Sequence, residues 1–392
     1  MKFIIRLIKR LFIGILILLL IGVVLLFATD NQYVFRGVKL TYLKGEVTAN
    51  IDDYVDFDLR RINNGTPQPW KLHKDYNKTP LTDTLLKELE TLETAGFLII
   101  KDGEIITEHY FNGYSDTSLT NSFSIAKTFT TMLLGKAIED GYIKSLEQPI
   151  TDFLPEYNND SLAKMCTVGN LSSMTDGYDW DENYYFPINP TAKAYYGRDI
   201  TNQMLSRSFV SKSGQGFDYK SGSTQLLGII ITRATGKKLS EYLSEKFWIP
   251  LGMKQNSFWS LDDENGMEKA YCCVHSNVRD YAKMGQLLLQ NGNWNGKQLL
   301  DSTFVSKMIT PNYKAFRSQP IYGYGLWMDY EHTPNFYAMV GHLGQKIICI
   351  PSENMVIVRM GKLMDRRNLR LGPIPGQETY YWVDEAMKMH KK

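Results

Sequence analysis

The sequence predicts an α+β domain, an antiparallel sheet flanked by helices with a helical lobe, preceded by one transmembrane helix. Three observations carry this: an unbroken apolar run near the N-terminus, strand signals at both ends of the chain that follows, and helical periodicity filling most of the space between them.

Residues 11–28 (LFIGILILLLIGVVLLFA) carry no charge over eighteen positions, which as a helix is about 27 Å against a hydrocarbon core of roughly 30 Å. Lys2, Arg6, Lys9 and Arg10 crowd the front of this run, while Asp30 follows it and Arg36 and Lys39 come later. The positive-inside rule therefore assigns residues 1–10 to the cytoplasm, 11–29 to a single-pass anchor in the cell membrane, and the rest to the outside. A cleaved signal peptide is the rival reading. It calls for a shorter apolar region, of about 7 to 15 residues, before a small-x-small site, and Leu25-Leu26-Phe27-Ala28-Thr29 is a poor one.

Residues 30–80 read as an irregular juxtamembrane connector with Pro67-Gln68-Pro69-Trp70 as a rigid point, and residues 81–392 as one large domain. Its length is large for a single core, so two lobes sharing an interface are expected. A net charge of +2 argues against a nucleic-acid partner. The oligomeric state is not legible.

Within the domain, Phe97–Lys101 and Glu104–Glu108 flank Asp102-Gly103, a strong hairpin signal. Met355–Met360 reads as another strand, helical patterns fill much of residues 124–310, and Thr379–Met389 reads as a terminal helix.

Two S-x-x-K matches occur, Ser124-Ile125-Ala126-Lys127 and Ser161-Leu162-Ala163-Lys164, and the motif alone is weak because such matches arise by chance. Context separates them. Ser124 precedes a long helical pattern and is expected in the first helical turn, where unpaired backbone N–H groups and the positive end of the helix dipole can stabilise a developing oxyanion. Lys127 lies one turn on, so its amine can reach the Ser124 hydroxyl. An amine that takes a proton must be neutral, which in a lysine calls for burial or a nearby cation to depress a pKa of about 10.4. Ser161 follows Tyr157-Asn158-Asn159-Asp160 and reads as an N-cap with a solvated lysine.

Tyr219, in Gly216-Phe217-Asp218-Tyr219-Lys220-Ser221-Gly222, lies in a loop just before another helical run. A phenol held there near Lys127 can act as general base and return the proton to a leaving group. Val340-Gly341-His342-Leu343-Gly344-Gln345 precedes an apolar strand, with glycines that admit close backbone approach. Together these stretches read as a serine hydrolase that forms an acyl-enzyme on Ser124.

On these motifs the chain resembles the serine β-lactamase-like hydrolases, which include class C β-lactamases, penicillin-binding DD-peptidases, related esterases and aminohexanoate-oligomer hydrolases. The resemblance spans roughly residues 85–385 and extends to Ser145-Leu146-Glu147-Gln148-Pro149-Ile150, Arg279-Asp280-Tyr281-Ala282 with Gly285, and Tyr322-Gly323-Tyr324-Gly325-Leu326-Trp327. It implies the β-lactamase/transpeptidase-like fold, Ser124 as nucleophile and Lys127 with Tyr219 as the proton-transfer pair. It further implies an oxyanion hole from the backbone N–H groups of Ser124 and Gln345. Ser221 would be a substrate-side partner, with a helix N-cap as its bland alternative. His342 and Gly344 would line the substrate pocket where penicillin-recognising members carry K-T-G, and Tyr184 would be a further substrate contact.

His342-Leu343-Gly344 replaces the K-T-G cation and hydroxyl with an imidazole mostly neutral near pH 7 and an alkyl group. The expected substrate is therefore a small-molecule ester or amide. A β-lactamase or DD-peptidase, and a catalytically silent binding module of the same fold, remain the alternatives. No cofactor is expected, and no metal, since the six histidines show no paired-ligand spacing. Buried thiols are expected for the four cysteines, Cys272-Cys273 being a vicinal pair ill-suited to bridging itself. Asp176, Asp179, Asp181 and Glu182 read as a solvated loop without the pattern of a calcium hand.

Overall fold

A computed structural model of the chain describes residues 2–184, 186–312, 321–365 and 376–390. Met1 of the expected cytoplasmic tail and Lys391-Lys392 of the expected domain lie outside them. The chain forms two compact units, Met1–Ala49 with Asp181–Arg198, and Asn50–Trp180 with Asp199–Lys392.

In the smaller unit, helix α1 (Lys2–Ala28) starts nine residues before the apolar run and takes Arg6, Lys9 and Arg10 into its first turns. From Phe3 to Ala28 it is long and apolar enough to cross a membrane. A short helix α2 (Tyr33–Leu40) follows, and a third helix, Pro190–Tyr196, belongs to the same unit.

The larger unit is built on an eight-stranded sheet. Its order is Ile321–Tyr322, Trp327–Asp329, Phe336–Gly341, Gln345–Ile350, Met355–Gly361, Thr94–Lys101, Glu104–Tyr110 and Lys71–Leu72. All neighbours are antiparallel except the last pair. The predicted hairpin is present, with Asp102 and Gly103 both at positive φ as a tight two-residue turn needs. Strand Met355–Gly361 pairs with Thr94–Lys101 and so joins the two ends of the domain. Residues 50–80, read from sequence as irregular, contribute to both sheets of this unit: Lys71–Leu72 to this one, and Leu59–Ile62 to a four-stranded sheet with Ser257–Ser260, Val274–Ser276 and Thr120–Asn121.

The apolar strands have no polar alternation because both faces are covered. On one face Asp83–Thr91 and Gln377–His390 pack Leu85, Leu89, Trp382 and Val383 against Phe97, Ile99, Ile348 and Ile357. On the other lies helix Val278–Leu289, which carries the Arg-Asp-Tyr-Ala run. That run is structural. Arg279 forks onto the Glu108 carboxylate at 2.7 and 2.6 Å, and Asp280 accepts from the Lys254 backbone at 2.7 Å. The Tyr281 hydroxyl, with one proton to donate, lies between Thr120 O and Val274 O at 2.7 and 2.8 Å.

Helix Ile125–Glu139 is buried all round from Ile125 to Ala137, which its apolar composition alone does not explain, since it holds three threonines. Each hydroxyl has a partner: Thr128 donates to Gly325 O at 2.5 Å, Thr130 to Ala270 O at 2.8 Å, and Thr131 pairs with Ser172 at 2.9 Å. The helix is thereby tied to three separate segments, which fixes its N-terminus in place.

Three sequence expectations are corrected. Cys272 and Cys273 are disulfide-bonded to one another, with Cys273 at φ 72°, a left-handed conformation that brings two adjacent side chains to one side; Cys166 and Cys349 are the buried thiols. Asp176 is buried rather than solvated, accepting from the Tyr178 N–H at 2.8 Å, and its carboxyl is pushed up by desolvation against the opposing charge of Lys220. Asp160, not Ser161, takes the capping role, accepting from the N–H groups of Leu162 and Ala163 at 2.8 and 3.0 Å, while Ser161 and Lys164 are exposed.

Candidate active site

The approach to Ser124 is strained and pinned. Phe123 sits at φ 44°, a conformation that costs a bulky residue on the order of 1 kcal/mol or more and persists only where its surroundings enforce it. Here they do. Asn121 Oδ1 accepts from the Phe123 N–H at 2.9 Å, the Ser122 N–H donates to Val274 O at 2.8 Å, and Ser122 Oγ accepts from the Val274 N–H at 3.2 Å. The turn delivers half-buried Ser124 to the N-cap position of helix Ile125–Glu139, as its sequence context predicts.

Lys127 is 2% exposed, one helical turn further on. Its amine donates to three neutral oxygens, Ser124 Oγ at 2.9 Å, Ser221 Oγ at 3.1 Å and Tyr271 O at 3.1 Å. Two aromatic rings stand beside it, Tyr219 at 4.9 Å and Tyr271 at 5.5 Å from Nζ to the ring centroids. The half-buried Tyr219 ring is held by Trp327 at 5.4 Å and Tyr322 at 6.1 Å. Helix Ser221–Thr235 begins at Ser221 with Lys220 in the cap position, so the Ser221 hydroxyl reaches Lys127 from the first helical residue rather than from the cap.

The His342-Leu343-Gly344 stretch is a single tight turn joining strands Phe336–Gly341 and Gln345–Ile350, with Leu343 at φ 60° and Gly344 at φ 79°. Gly341 brings this turn to the nucleophile: a Cβ there would lie 2.4 Å from Ser122 O, so only glycine permits the approach. Across that contact the His342 ring meets Phe123 edge-on, centroids 5.5 Å apart. Although His342 keeps some surface exposure, it is densely surrounded, and desolvation pushes its imidazole down to about 4. From below, Arg359 is fully buried and donates to Leu343 O, Gly344 O and Leu363 O at 2.9, 3.2 and 3.0 Å, to Thr94 Oγ1 at 3.1 Å, and to Leu92 O. Gln345 is also fully buried, its side chain spanning His342 O at 3.0 Å and Gly361 O at 2.7 Å.

The structure therefore gathers Ser124, Lys127, Tyr219 and Ser221, and sets the turn bearing His342, Gly344 and Gln345 against the residues just before Ser124. Tyr184 belongs to the smaller unit, where its hydroxyl donates to Glu182 at 2.5 Å. Sequence reasoning missed Tyr271, Phe123 and Arg359. Tyr271 acts through its carbonyl and ring face, Phe123 through backbone strain, and Arg359 lies in a run that reads as ordinary strand; none of these leaves a motif. Trp327 and Tyr322 lie inside the aromatic-glycine run 322–327, which as a sequence pattern assigns them no role.

A family model described as Beta-lactamase matches residues 82–370. A 6-aminohexanoate-dimer hydrolase of Paenarthrobacter ureafaciens is 26% identical over 326 residues, 78% of this chain and 82% of that protein. Among solved structures, a Bacillus anthracis protein bearing a provisional 6-aminohexanoate-dimer hydrolase name superposes with a TM-score of 0.73 at 24% identity, covering 91% of this chain and 94% of that one. A family VIII carboxylesterase gives 0.61 at 17% identity, over 82% and 99%.

Proposed function

The chain belongs to the beta-lactamase family, and from that premise we propose that it is a membrane-anchored serine hydrolase cleaving an ester or amide through an acyl-enzyme on Ser124. The observation that carries the reading is the single buried amine of Lys127 set between the hydroxyls of Ser124 and Ser221 and over the ring of Tyr219.

In the first step Ser124 Oγ bonds to the substrate carbonyl carbon while its proton passes to the Lys127–Tyr219 pair. The backbone N–H groups of Ser124 and Gln345 stabilise the oxyanion, the first aided by the helix dipole. The bond to the leaving group then breaks and the pair returns the proton to the departing oxygen or nitrogen. Water repeats the sequence on the ester of Ser124, giving the acid and restoring the serine. Ser221 holds the amine in line, and His342 with Gly344 forms a pocket wall that offers a carboxylate no cation at neutral pH. Helix α1 anchors the chain with residues 1–10 in the cytoplasm and the larger unit outside. The family resemblance and the relatives' names support hydrolysis of amides and esters; the neutral His342 turn supports these over β-lactams.

A fluorophosphonate probe on the full chain, followed by digestion and mass mapping, tests this. The adduct is expected on the peptide carrying Ser124. Labelling confined to another residue, or none by a folded protein that still turns over an ester, would overturn it.

A further inference from the structure

Within the smaller unit, α2 is folded back onto the end of the apolar helix: Phe27 of α1 packs on Phe35 with centroids 5.9 Å apart, and the Asn31 N–H donates to Leu26 O at 2.7 Å. The excursion Asp181–Arg198 is fastened to the same place. The Tyr33 hydroxyl donates to Asn189 O at 3.3 Å and accepts from the Asn189 N–H at 3.2 Å. Lys193 pairs with Asp30, two residues beyond the end of α1. A Cβ on Gly37 would lie 3.3 Å from the Tyr196 ring, so α2 and helix Pro190–Tyr196 are in close contact.

What this assembly leaves outside is apolar. Val38, Tyr42, Val47, Tyr184 and Phe186 line one open cleft, and each is between 37% and 62% exposed. Leu43 beside them is 76% exposed. The side of α2 that packs inward carries Tyr33, Gly37 and Leu40, so the helix is amphipathic with a second apolar edge left uncovered. Soluble domains rarely leave such a contiguous patch to water.

We infer that this surface is a membrane-interface foot: its exposed Tyr, Phe, Val and Leu side chains rest in the headgroup and upper acyl region of the bilayer that α1 enters. The inference rests on the anchor reading above. The patch is tied by Phe27–Phe35 and Lys193–Asp30 to the point where an apolar helix ends, which is the level at which amphipathic helices and aromatic side chains partition. The excursion 181–198 leaves the larger unit and returns to it, so the foot joins the bilayer to the hydrolase domain through two further chain connections besides residues 49–50. Tyr184 then serves as an interfacial aromatic.

Single nitroxide labels on the full-length protein in phosphatidylcholine/phosphatidylglycerol vesicles test this by the ratio of oxygen to nickel-chelate accessibility. Labels are placed through Tyr42→Cys, Phe186→Cys, Leu18→Cys in α1, and Val210→Cys, an exposed site in the larger unit. Retained fluorophosphonate labelling checks each fold. The expected result is a shift toward oxygen at 42 and 186, approaching Leu18 and well above Val210. Nickel-accessible labels at 42 and 186 with a lipid-exposed Leu18 would overturn the foot and leave the anchor standing. Labels at 42 and 186 shielded from both reagents and spin-coupled between molecules would assign the patch to a second copy, also overturning it. A water-accessible Leu18 would show that the anchor reading itself has failed.

Discussion

The guanidinium of Arg359 holds the carbonyl of Leu343 at 2.9 Å. This bond underlies the whole turn, because Leu343 at φ 60° is in a conformation its side chain disfavours, and the same cation secures the next carbonyl, that of Gly344, at 3.2 Å. The residue after it is Gln345, whose backbone N–H is proposed to meet the oxyanion. On that proposal Arg359 is a positioning residue for a group that carries no side-chain signature.

Replacing it should separate stability from turnover. Arg359→Leu strands several buried carbonyls and should cost about 3–5 kcal/mol, read as a lowered urea midpoint. Arg359→Lys keeps the charge but cannot fork across two carbonyls. At temperatures where it stays folded, its kcat on a short-chain p-nitrophenyl ester should fall by roughly tenfold with little change in KM. An unaltered kcat in folded Arg359→Lys would separate this residue from the reaction.

Ser124→Ala should abolish ester turnover, while Ser161→Ala, in an exposed turn, should leave it unchanged. Lys127→Ala and Tyr219→Phe should each cost several orders of magnitude. Because both are proposed to act on one proton at one oxygen, the double variant should lose far less than the sum of the two. Additive losses would mean that the amine and the phenol serve separate steps.

Stability should fall in acid through His342. Its folded pKa of about 4 lies below the ordinary imidazole value of about 6.5, so between these values the unfolded chain binds more protons and unfolding is favoured as pH drops. The contribution is complete above about 6.5 and is lost progressively as pH falls toward 4. His275, also pushed down by burial, to about 3, adds in the same sense. Urea unfolding at pH 7, 5.5 and 4.5 should show this decline, and His342→Asn should make it shallower. The same shift means that His342 offers no cation to an anionic substrate between pH 5 and 8. A rise in activity on carboxylate-bearing substrates near pH 6.5 that disappears in His342→Asn would contradict the assignment.

Uncharged esters and amides should be turned over with higher kcat/KM than penicillins or cephalosporins. A charge-assisted bond to a substrate carboxylate is worth about 1.5–3 kcal/mol, or one to two factors of ten, and this turn does not supply it. Restoring the residues should not restore the activity. A β-branched threonine at the left-handed Leu343 position is more strained than leucine, so His342→Lys with Leu343→Thr is expected to lower stability without creating efficient cephalosporin hydrolysis. Wild-type turnover of a chromogenic cephalosporin above that of every ester in a panel would reverse the substrate assignment.

Features whose physical cause is local are legible in the sequence alone. An eighteen-residue uncharged run needs no partner to be recognised as long enough to span. Asp102-Gly103 encodes its hairpin through two positive φ angles. Ser124 and Lys127 face one another because three residues make most of a helical turn. Tertiary structure decided what depends on contacts between distant segments. The Ser221 hydroxyl faces Lys127 across 94 positions of sequence, and Arg359 reaches Leu343 from two strands on. The His342 imidazole is held neutral by the protein packed around it. Asp176 is dry although four acidic residues in seven positions read as a solvated loop. Desolvation is set by everything that surrounds a group, and no window of sequence contains it.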